Sequence, residues 1–222
     1  MQKDVIPTRI TEFWRQNAVT LNECCRTGPG QRWTRAAVTS ISTASFQCCA
    51  GDRFRAVTTP STVRRAKVGD VRRIKDLVDC YAGAVLLTKQ LITLYEDVQE
   101  FWVAERDSAI LGCAALHVLW EDLAEIRTLA VHPDAVGQGI GHALVAQLMQ
   151  QGRALGLRRL FVLTFEEYFF SRHGFWTIEG TPVTAEVYDE MRRSHDEGVA
   201  EFLDLPYVKP NTLGNTRMLL EL

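Results

Sequence analysis

The stretch from Leu129 to Gln150, LAVHPDAVGQGIGHALVAQLMQ, constrains this chain more than any other. Leu129, Ala130 and Val131 form a short apolar run suited to a buried strand. His132-Pro133-Asp134 ends it, because proline cannot donate to a strand ladder. Gly137, Gly139 and Gly141 follow at alternate positions, and from Ile140 onward Ile140, Leu144 and Leu148, supported by Ala143 and Val145, recur at helical spacing. The chain therefore runs from a strand through a glycine turn into a helix. Such a turn brings free backbone N–H groups and a partial positive charge to one place, with no side chains to keep a phosphate away. The glycine spacing by itself also fits a plain connection between strand and helix. Two nucleotide loops are excluded. Gly141 is followed by His142 and Ala143, so the lysine and hydroxyl of a Walker loop are missing, and Gly137-x-Gly139 with His142 three residues on is not the dinucleotide fingerprint.

With 222 residues, 46% of them hydrophobic, the chain can bury one good core and carry an extra segment. No apolar run approaches the roughly 20 residues of a membrane-spanning helix, so a cytoplasmic protein without membrane contact is expected. The net charge of -2 hides an asymmetry: residues 1–60 carry eight Lys/Arg against four Asp/Glu, residues 61–222 seventeen against twenty-three. The acidic part suggests no surface for nucleic acid. Residues 1–60 lack sustained periodicity, contain a Gly28-Pro29-Gly30 break, and hold the vicinal pairs Cys24-Cys25 and Cys48-Cys49, neither of which has zinc or redox spacing. An acid-poor leader of this kind invites comparison with a transit peptide, but it is not cleanly amphipathic. A low-order extension, or a start codon placed too far upstream, is the expectation for residues 1–60, with the folded domain over residues 61–222. The five histidines show no ligand spacing, so no metal is expected.

Along residues 61–222 the pattern predicts a strand at Thr62–Ala66 and a helix opened by Gly69-Asp70 with Val71, Ile74, Leu77 and Val78 on its apolar face. A helical stretch follows at Leu91–Val98. Strands are predicted at Glu100–Glu105 and Ile110–Trp120, joined by a hairpin turn at Arg106-Asp107-Ser108-Ala109, and then at Leu123–Val131. After the helix from Ile140 come a buried strand at Arg158–Thr164, a short helix at Glu166–His173 and a strand at Phe175–Glu179.

The loop Val136-Gly137-Gln138-Gly139-Ile140-Gly141, after a strand ending in Leu129-Ala130-Val131, resembles the acetyl-coenzyme A pyrophosphate loop of the GNAT acetyltransferases. Val136 stands where that family usually has Arg or Gln, which removes one side-chain contact and leaves the backbone cradle. Phe169-Phe170-Ser171-Arg172-His173-Gly174-Phe175 resembles a second phrase of the family, which packs beside the pantetheine; Phe170 occupies the place where many members have a tyrosine that protonates the departing thiolate. The resemblance implies a single α/β (α+β) GNAT fold, with a central mixed, mostly antiparallel twisted sheet flanked by helices. It implies acetyl-coenzyme A as co-substrate, held by Leu129, Ala130, Val131, Gly137, Gln138, Gly139, Ile140, Gly141, His142 and Phe170.

Longer phrases narrow the likeness. Leu94-Tyr95-Glu96, Ala124-Glu125-Ile126-Arg127-Thr128-Leu129-Ala130-Val131, Arg172-His173-Gly174-Phe175 and the tail from Pro206 to Met218 resemble the short, stand-alone N-acetylglutamate synthases of arginine biosynthesis. Classical bacterial members carry an amino-acid-kinase-like domain ahead of the acetyltransferase, and this chain has no room for one. The implied partners are small molecules, L-glutamate and acetyl-coenzyme A, with no nucleic acid and no membrane; a homodimer is compatible with this reading.

Acetyl transfer needs a neutral amine, so a group must take a proton from the substrate ammonium, usually through water. Glu125, inside an otherwise apolar strand just before the glycine loop, is the candidate: desolvation raises its proton affinity toward a useful range. The matching glutamate has that role in similar synthases; the alternative is a plain ion pair with Arg127. Strict alternation puts Glu125 and Arg127 on one face and Thr128 on the other, and a bulge, which the family usually has, would let Thr128 join the site. Backbone N–H groups around Leu129 to Val131 suit the oxyanion. Thr164 matches a thiolate-protonating position in similar enzymes, and equally suits a strand-end hydroxyl capping the next helix at Glu166. Lys89 and Arg217 match basic residues that hold the substrate carboxylates, with Arg127 and Arg172 in reserve. The alternatives are an acetyltransferase for another small amine or a peptide N-terminus, and a non-catalytic coenzyme A or amino-acid sensor.

Overall fold

The computed structural model describes residues 61–83, 86–205 and 215–222, so the leader 1–60 and the tail phrase from Pro206 to Gly214 lie outside the described residues. The fold grows from a meander. Strands β2 (Phe101–Arg106) and β3 (Ala109–Trp120) are joined by Asp107 and Ser108, both left-handed at φ 49° and 65°. Arg106 pairs with Ala109 across them, and two successive left-handed residues match the natural twist of a hairpin. Strand β4 (Leu123–Val131) returns antiparallel to β3, and β1 (Thr62–Arg65) extends the sheet beyond β2.

Strand β5 (Arg159–Thr164) lies parallel to β4, but their pairing covers only Leu123 with Arg159, Ala124 with Leu160 and Glu125 with Phe161. Beyond β5 the sheet continues with β7 (Thr216–Glu221) and ends at β6 (Trp176–Thr177), both pairings antiparallel. The seven-stranded sheet has the order β1-β2-β3-β4-β5-β7-β6. It is the mixed, mostly antiparallel sheet that the resemblance implied.

Helix α1 (Val71–Asp79) buries Val71, Ile74, Leu77 and Val78, the face its spacing predicts. Helix α2 (Leu91–Glu96) stops short of the predicted Val98, because a 3-10 turn at Val98–Glu100 leads the chain into β2. Helix α3 (Ile140–Ala154) lays Ile140, Leu144, Val145 and Leu148 into a core with Leu116, Ala124, Ile126, Leu160 and Val162. Its approach to the sheet is close at Gly112, where a Cβ would stand 2.9 Å from Ile140 Cγ2 and 3.1 Å from the Ala130 carbonyl oxygen.

The short helix α4 (Glu167–Ser171) precedes β6. Of the strand predicted at Phe175–Glu179, only Trp176–Thr177 pairs, and both residues are exposed at the sheet edge. The residue pattern predicts no element after it, yet the chain forms helices α5 (Ala185–Met191) and α6 (Glu197–Phe202) and strand β7. These elements build a second core on the opposite face, where Met191, Val199, Phe202 and Leu203 pack with Leu123, Phe161 and Leu219. Phe161 and Phe202 meet edge to face with ring centres 4.8 Å apart. The helices are too short to show a periodic signal, and β7 becomes a strand by pairing with β5, a partner more than fifty residues upstream.

A methyl group at position 112 has no room, so Gly112→Ala is expected to lower stability by about 1–3 kcal/mol, read by urea denaturation. A variant as stable as the parent would show that α3 can move off the sheet without loss.

Candidate functional site

The centre of the sheet opens at β4. After Glu125 and Phe161, β4 and β5 have no further pairing, although β4 runs on to Val131 and β5 to Thr164. Just there β4 carries a bulge: Arg127 pairs with Ala115 and Ala130 with Cys113, so Thr128 and Leu129 face the single residue Ala114. Thr128 is left-handed at φ 56°, a conformation that a β-branched residue rarely adopts. Its carbonyl accepts from the buried Cys113 thiol at 3.8 Å, whose pKa burial pushes up to about 12. The bulge inverts the alternation of β4. Ala124 and Ile126 pack toward α3, and so do Leu129 and Val131, which leaves Arg127 and Thr128 together on the face of Glu125.

Beyond Val131 the chain makes the glycine turn. Gly137 and Gly139 are left-handed at φ 78° and 81°, and a Cβ on either would meet nothing within 4 Å. Gly139 is the N-cap of α3 and no side chain caps this end, so the first N–H groups of the helix face outward. Gln138 is held away from them: its amide donates to the Asp134 carbonyl at 2.9 Å and its carbonyl accepts from Arg106 at 2.7 Å. His142 Nδ1 and His173 Nε2 are 2.8 Å apart, and the His142 ring lies 4.7 Å from Phe169. Burial, helped by His142 and Arg172, lowers the pKa of His173, which fits a neutral ring in that contact. Phe170 is buried against Phe169 and Phe175.

On the other side of the opening, charged groups collect around Glu125, which is 6% exposed. Arg127 Nε donates to Glu125 Oε2 at 2.9 Å, and both terminal nitrogens of Arg127 bind the Asp196 carboxylate, at 3.1 and 3.0 Å. His117, directly across the ladder from Glu125, has Nδ1 2.8 Å from Glu100 Oε1. Burial raises the Glu125 pKa and outweighs the opposing charge and hydrogen bond of Arg127. Burial also works against the Arg127 charge, but Glu125 and Asp196 more than offset it. Asp196 ends below the usual carboxylate range, because the Arg127 contacts overcome its own burial. Glu201 is raised by burial, against the pull of Arg217 and Arg127.

The remaining residues singled out in the sequence divide. Arg217 reaches the same face: its Nε donates to the Gly180 carbonyl at 3.0 Å, its Nη2 to the Phe202 carbonyl, and its guanidinium lies 5.1 Å from the Phe161 ring centre. Burial lowers its pKa, with Asp204, Glu125 and Glu201 opposing. Thr164 is buried on the α3 side of β5, the alternate of Phe161 and Leu163, and its hydroxyl accepts from the Glu166 N–H at 2.9 Å. Lys89 pairs with Asp97 at 3.6 Å, and no contact joins it to the Glu125 cluster among the described residues. His117, Asp196 and Glu201 were not singled out. Asp196 carries one local signal, an acidic residue ahead of a helical run, but nothing local ties it to Arg127, 69 positions away.

A separate hollow lies between Trp120, Asp122, Arg159 and Thr184, at the end of β4 away from the glycine turn. Asp122 and the Pro182 carbonyl already take up Arg159 there, so the open notch is the better chemical candidate.

Residues 72–177 match the acetyltransferase (GNAT) family. A Mycobacterium tuberculosis protein named amino-acid acetyltransferase is 67% identical over 163 residues, which span 72% of this chain and 94% of that relative. The chain belongs to the GNAT acetyltransferase family. A crystal structure from the same organism, in complex with CoA and NLQ, matches at 66% identity with a TM-score of 0.71, covering 72% of this chain and 99% of that one. N-acetylglutamate synthase from Neisseria gonorrhoeae, complexed with coenzyme A and N-acetyl-glutamate, matches at 25% identity with a TM-score of 0.59; 74% of this chain aligns with 35% of that longer protein. The open β4–β5 notch and the glycine turn of this GNAT chain thus stand in a fold shared with structures that hold coenzyme A. No helix among the described residues is long and apolar enough to cross a membrane, and they contain no cluster of metal-ligating side chains.

A glutamate with a raised folded-state pKa contributes stability that is fully present below its ordinary range and is lost as pH rises through the raised value. Removing its partner deepens that loss. Arg127→Met is therefore expected to cost about 3 kcal/mol at alkaline pH, where Glu125 is left as an uncompensated buried charge, and less near pH 5. Equal losses in urea denaturation at both pH values would show that another group responds.

Proposed function

We infer that this chain is an amino-acid N-acetyltransferase that moves the acetyl group of acetyl-coenzyme A to the α-amino group of L-glutamate, as an N-acetylglutamate synthase of arginine biosynthesis does. The observation that carries this reading is a buried glutamate with raised proton affinity, set in β4 where that strand parts from β5 and runs on to an uncapped helix N-terminus. The named amino-acid acetyltransferase at 67% identity supports the reaction class, and the likeness to the Neisseria synthase supports glutamate as acceptor.

The outward N–H groups at the start of α3, with Gly137 and Gly139 leaving open space, fit the pyrophosphate of coenzyme A. The thioester supplies an acetyl carbon open to a neutral amine. Glu125 takes the proton of the substrate ammonium, through water, and the amine nitrogen then bonds to that carbon. The oxygen of the tetrahedral intermediate gains negative charge, which backbone N–H groups of β4 around Leu129 to Val131 stabilise. The carbon–sulfur bond breaks as the nitrogen gives its second proton to water and the amide forms, and the departing thiolate takes a proton. The Thr164 hydroxyl is free to donate while it accepts from Glu166, and remains the candidate for that proton. Phe170 offers none.

Arg127 is committed to two carboxylates, so Arg217 is the better cation for a substrate carboxylate. It stands on the face of Glu125, and among the described residues its two backbone contacts leave part of its donor fork unused. The Lys89–Asp97 ion pair favours a second reading, in which the acceptor is another small amine with one carboxylate to place.

Coenzyme A release across a panel of amino acids tests both readings. Turnover is expected with glutamate, and Glu125→Gln is expected to lower kcat by about 100-fold or more near neutral pH. No turnover with any amino acid, while acetyl-coenzyme A still binds, would overturn the synthase reading and leave a peptide acceptor or a sensor. Because Gly139 is left-handed, Gly139→Ala adds strain of about 1–3 kcal/mol and should raise the Kd for coenzyme A about tenfold by calorimetry. Unchanged affinity would place the phosphates elsewhere.

A further inference from the structure

The guanidinium beside Glu125 is oriented from outside its own strand. Arg127 gives Nε to Glu125 Oε2 at 2.9 Å, and gives Nη1 and Nη2 to Asp196 Oδ2 and Oδ1 at 3.1 and 3.0 Å. Asp196 is the N-cap of α6, where Oδ1 also accepts from the Val199 N–H at 2.8 Å. The helix start leaves just enough room for the arginine: a Cβ on Gly198 would stand 2.9 Å from both Cζ and Nη2 of Arg127. A planar fork bound on two edges has one orientation left, the one that aims Nε at Glu125.

We propose that Asp196 and Gly198 are positioning residues for Glu125: by fixing the Arg127 fork, the start of α6 sets the proton affinity of the buried carboxyl. The catalytic consequence rests on the reading of Glu125 as the base, whereas the coupling of the side chains stands apart from it.

The direction follows from the groups that face Glu125. Arg127 comes from its own strand, His117 (in contact with Glu100) from β3, Glu201 from α6 and Arg217 from β7, while Asp196, the N-cap of α6, faces Arg127 and Asp204, from the turn after α6, faces Arg217. Burial raises Glu125; Arg127 opposes by charge and by hydrogen bond; Glu201 adds to the rise and His117 opposes it. Asp196 reaches Glu125 through Arg127. Freeing the guanidinium therefore raises the Glu125 pKa, and neutralising Glu201 lowers it.

Two variants separate this role from helix capping. Asp196→Ser keeps a hydroxyl to accept from Val199 and removes the carboxylate that binds the fork. Gly198→Ala keeps every charge and pushes the guanidinium aside with one methyl group. The Glu125 carboxyl is titrated by 13C NMR in the full chain and assigned by difference from Glu125→Gln. Its midpoint is expected to rise by about one pH unit in both variants, to fall in Glu201→Gln, and to return toward the parent value in Asp196→Glu. A midpoint unmoved in both Asp196→Ser and Gly198→Ala would overturn the proposal and leave Asp196 as a helix cap. If Glu125 is the base, the acid limb of kcat/KM moves with the carboxyl. A shifted carboxyl with an unmoved limb upholds the coupling and removes Glu125 from proton abstraction, so the two readings fail separately.

Discussion

The parting of β4 from β5 is the constraint on which the rest of this structure depends. A central strand ordinarily fills both of its hydrogen-bonding edges, because buried N–H and C=O groups left unpaired cost as much as a lost hydrogen bond. Here β4 is paired along β3 for its whole length and along β5 for only three residue pairs. The edge from Ile126 to Val131 is left for partners outside the ladder. The bulge at Thr128 follows from the same demand, since one added residue turns Leu129 and Val131 toward the α3 core while Arg127 stays beside Glu125. One strand thereby presents a carboxylate to one face, backbone groups to the opening, and an apolar anchor to the helix that begins at the glycine turn.

The two faces of the sheet do different work. The α3 face is apolar, and its close approach at Gly112 fixes where the helix begins relative to the end of β4. The opposite face mixes aromatic packing with charge. Phe161 and Phe202 meet edge to face, the Arg217 guanidinium lies over Phe161, and Glu125, Arg127, Asp196 and Glu201 share the space beyond them. A carboxylate is tolerated there because an arginine with two carboxylate partners stays charged despite its burial. Arg127 opposes the effect of burial on Glu125 by its charge and its hydrogen bond without cancelling it. The result is a carboxyl group whose proton affinity is raised without being isolated.

Much of this was legible in the residues. The β4 boundaries, the apolar stripe of α1, the glycine turn and the start of α3 follow from period and from glycine alone, since those signals are local. The β2–β3 turn was readable from Asp107-Ser108, although its two left-handed residues were not. Glu125 was conspicuous as a lone carboxylate in an apolar strand. His117, Asp196 and Glu201 were not, because each acquires meaning only from a partner brought up by the register or by α6. For Arg217, the sequence pointed to a cation and the structure assigns its contacts: two carbonyls and an aromatic face. Thr164 was readable as either a helix-entry acceptor or a proton donor, and its bond from Glu166 shows the first arrangement.

The sequence by itself determined the strand, the glycine turn and the amphipathic helix, because glycine spacing and helical periodicity act over a few residues. It also determined that a carboxylate would be buried, since its strand neighbours are apolar. Only the tertiary structure decided where β4 and β5 part, that β7 inserts between β5 and β6, and that Asp196 holds the arginine that holds Glu125. These depend on contacts between residues far apart in the chain, whose geometry is fixed by sheet register and by the packing of α6 on Phe161, and no short stretch of sequence carries that information.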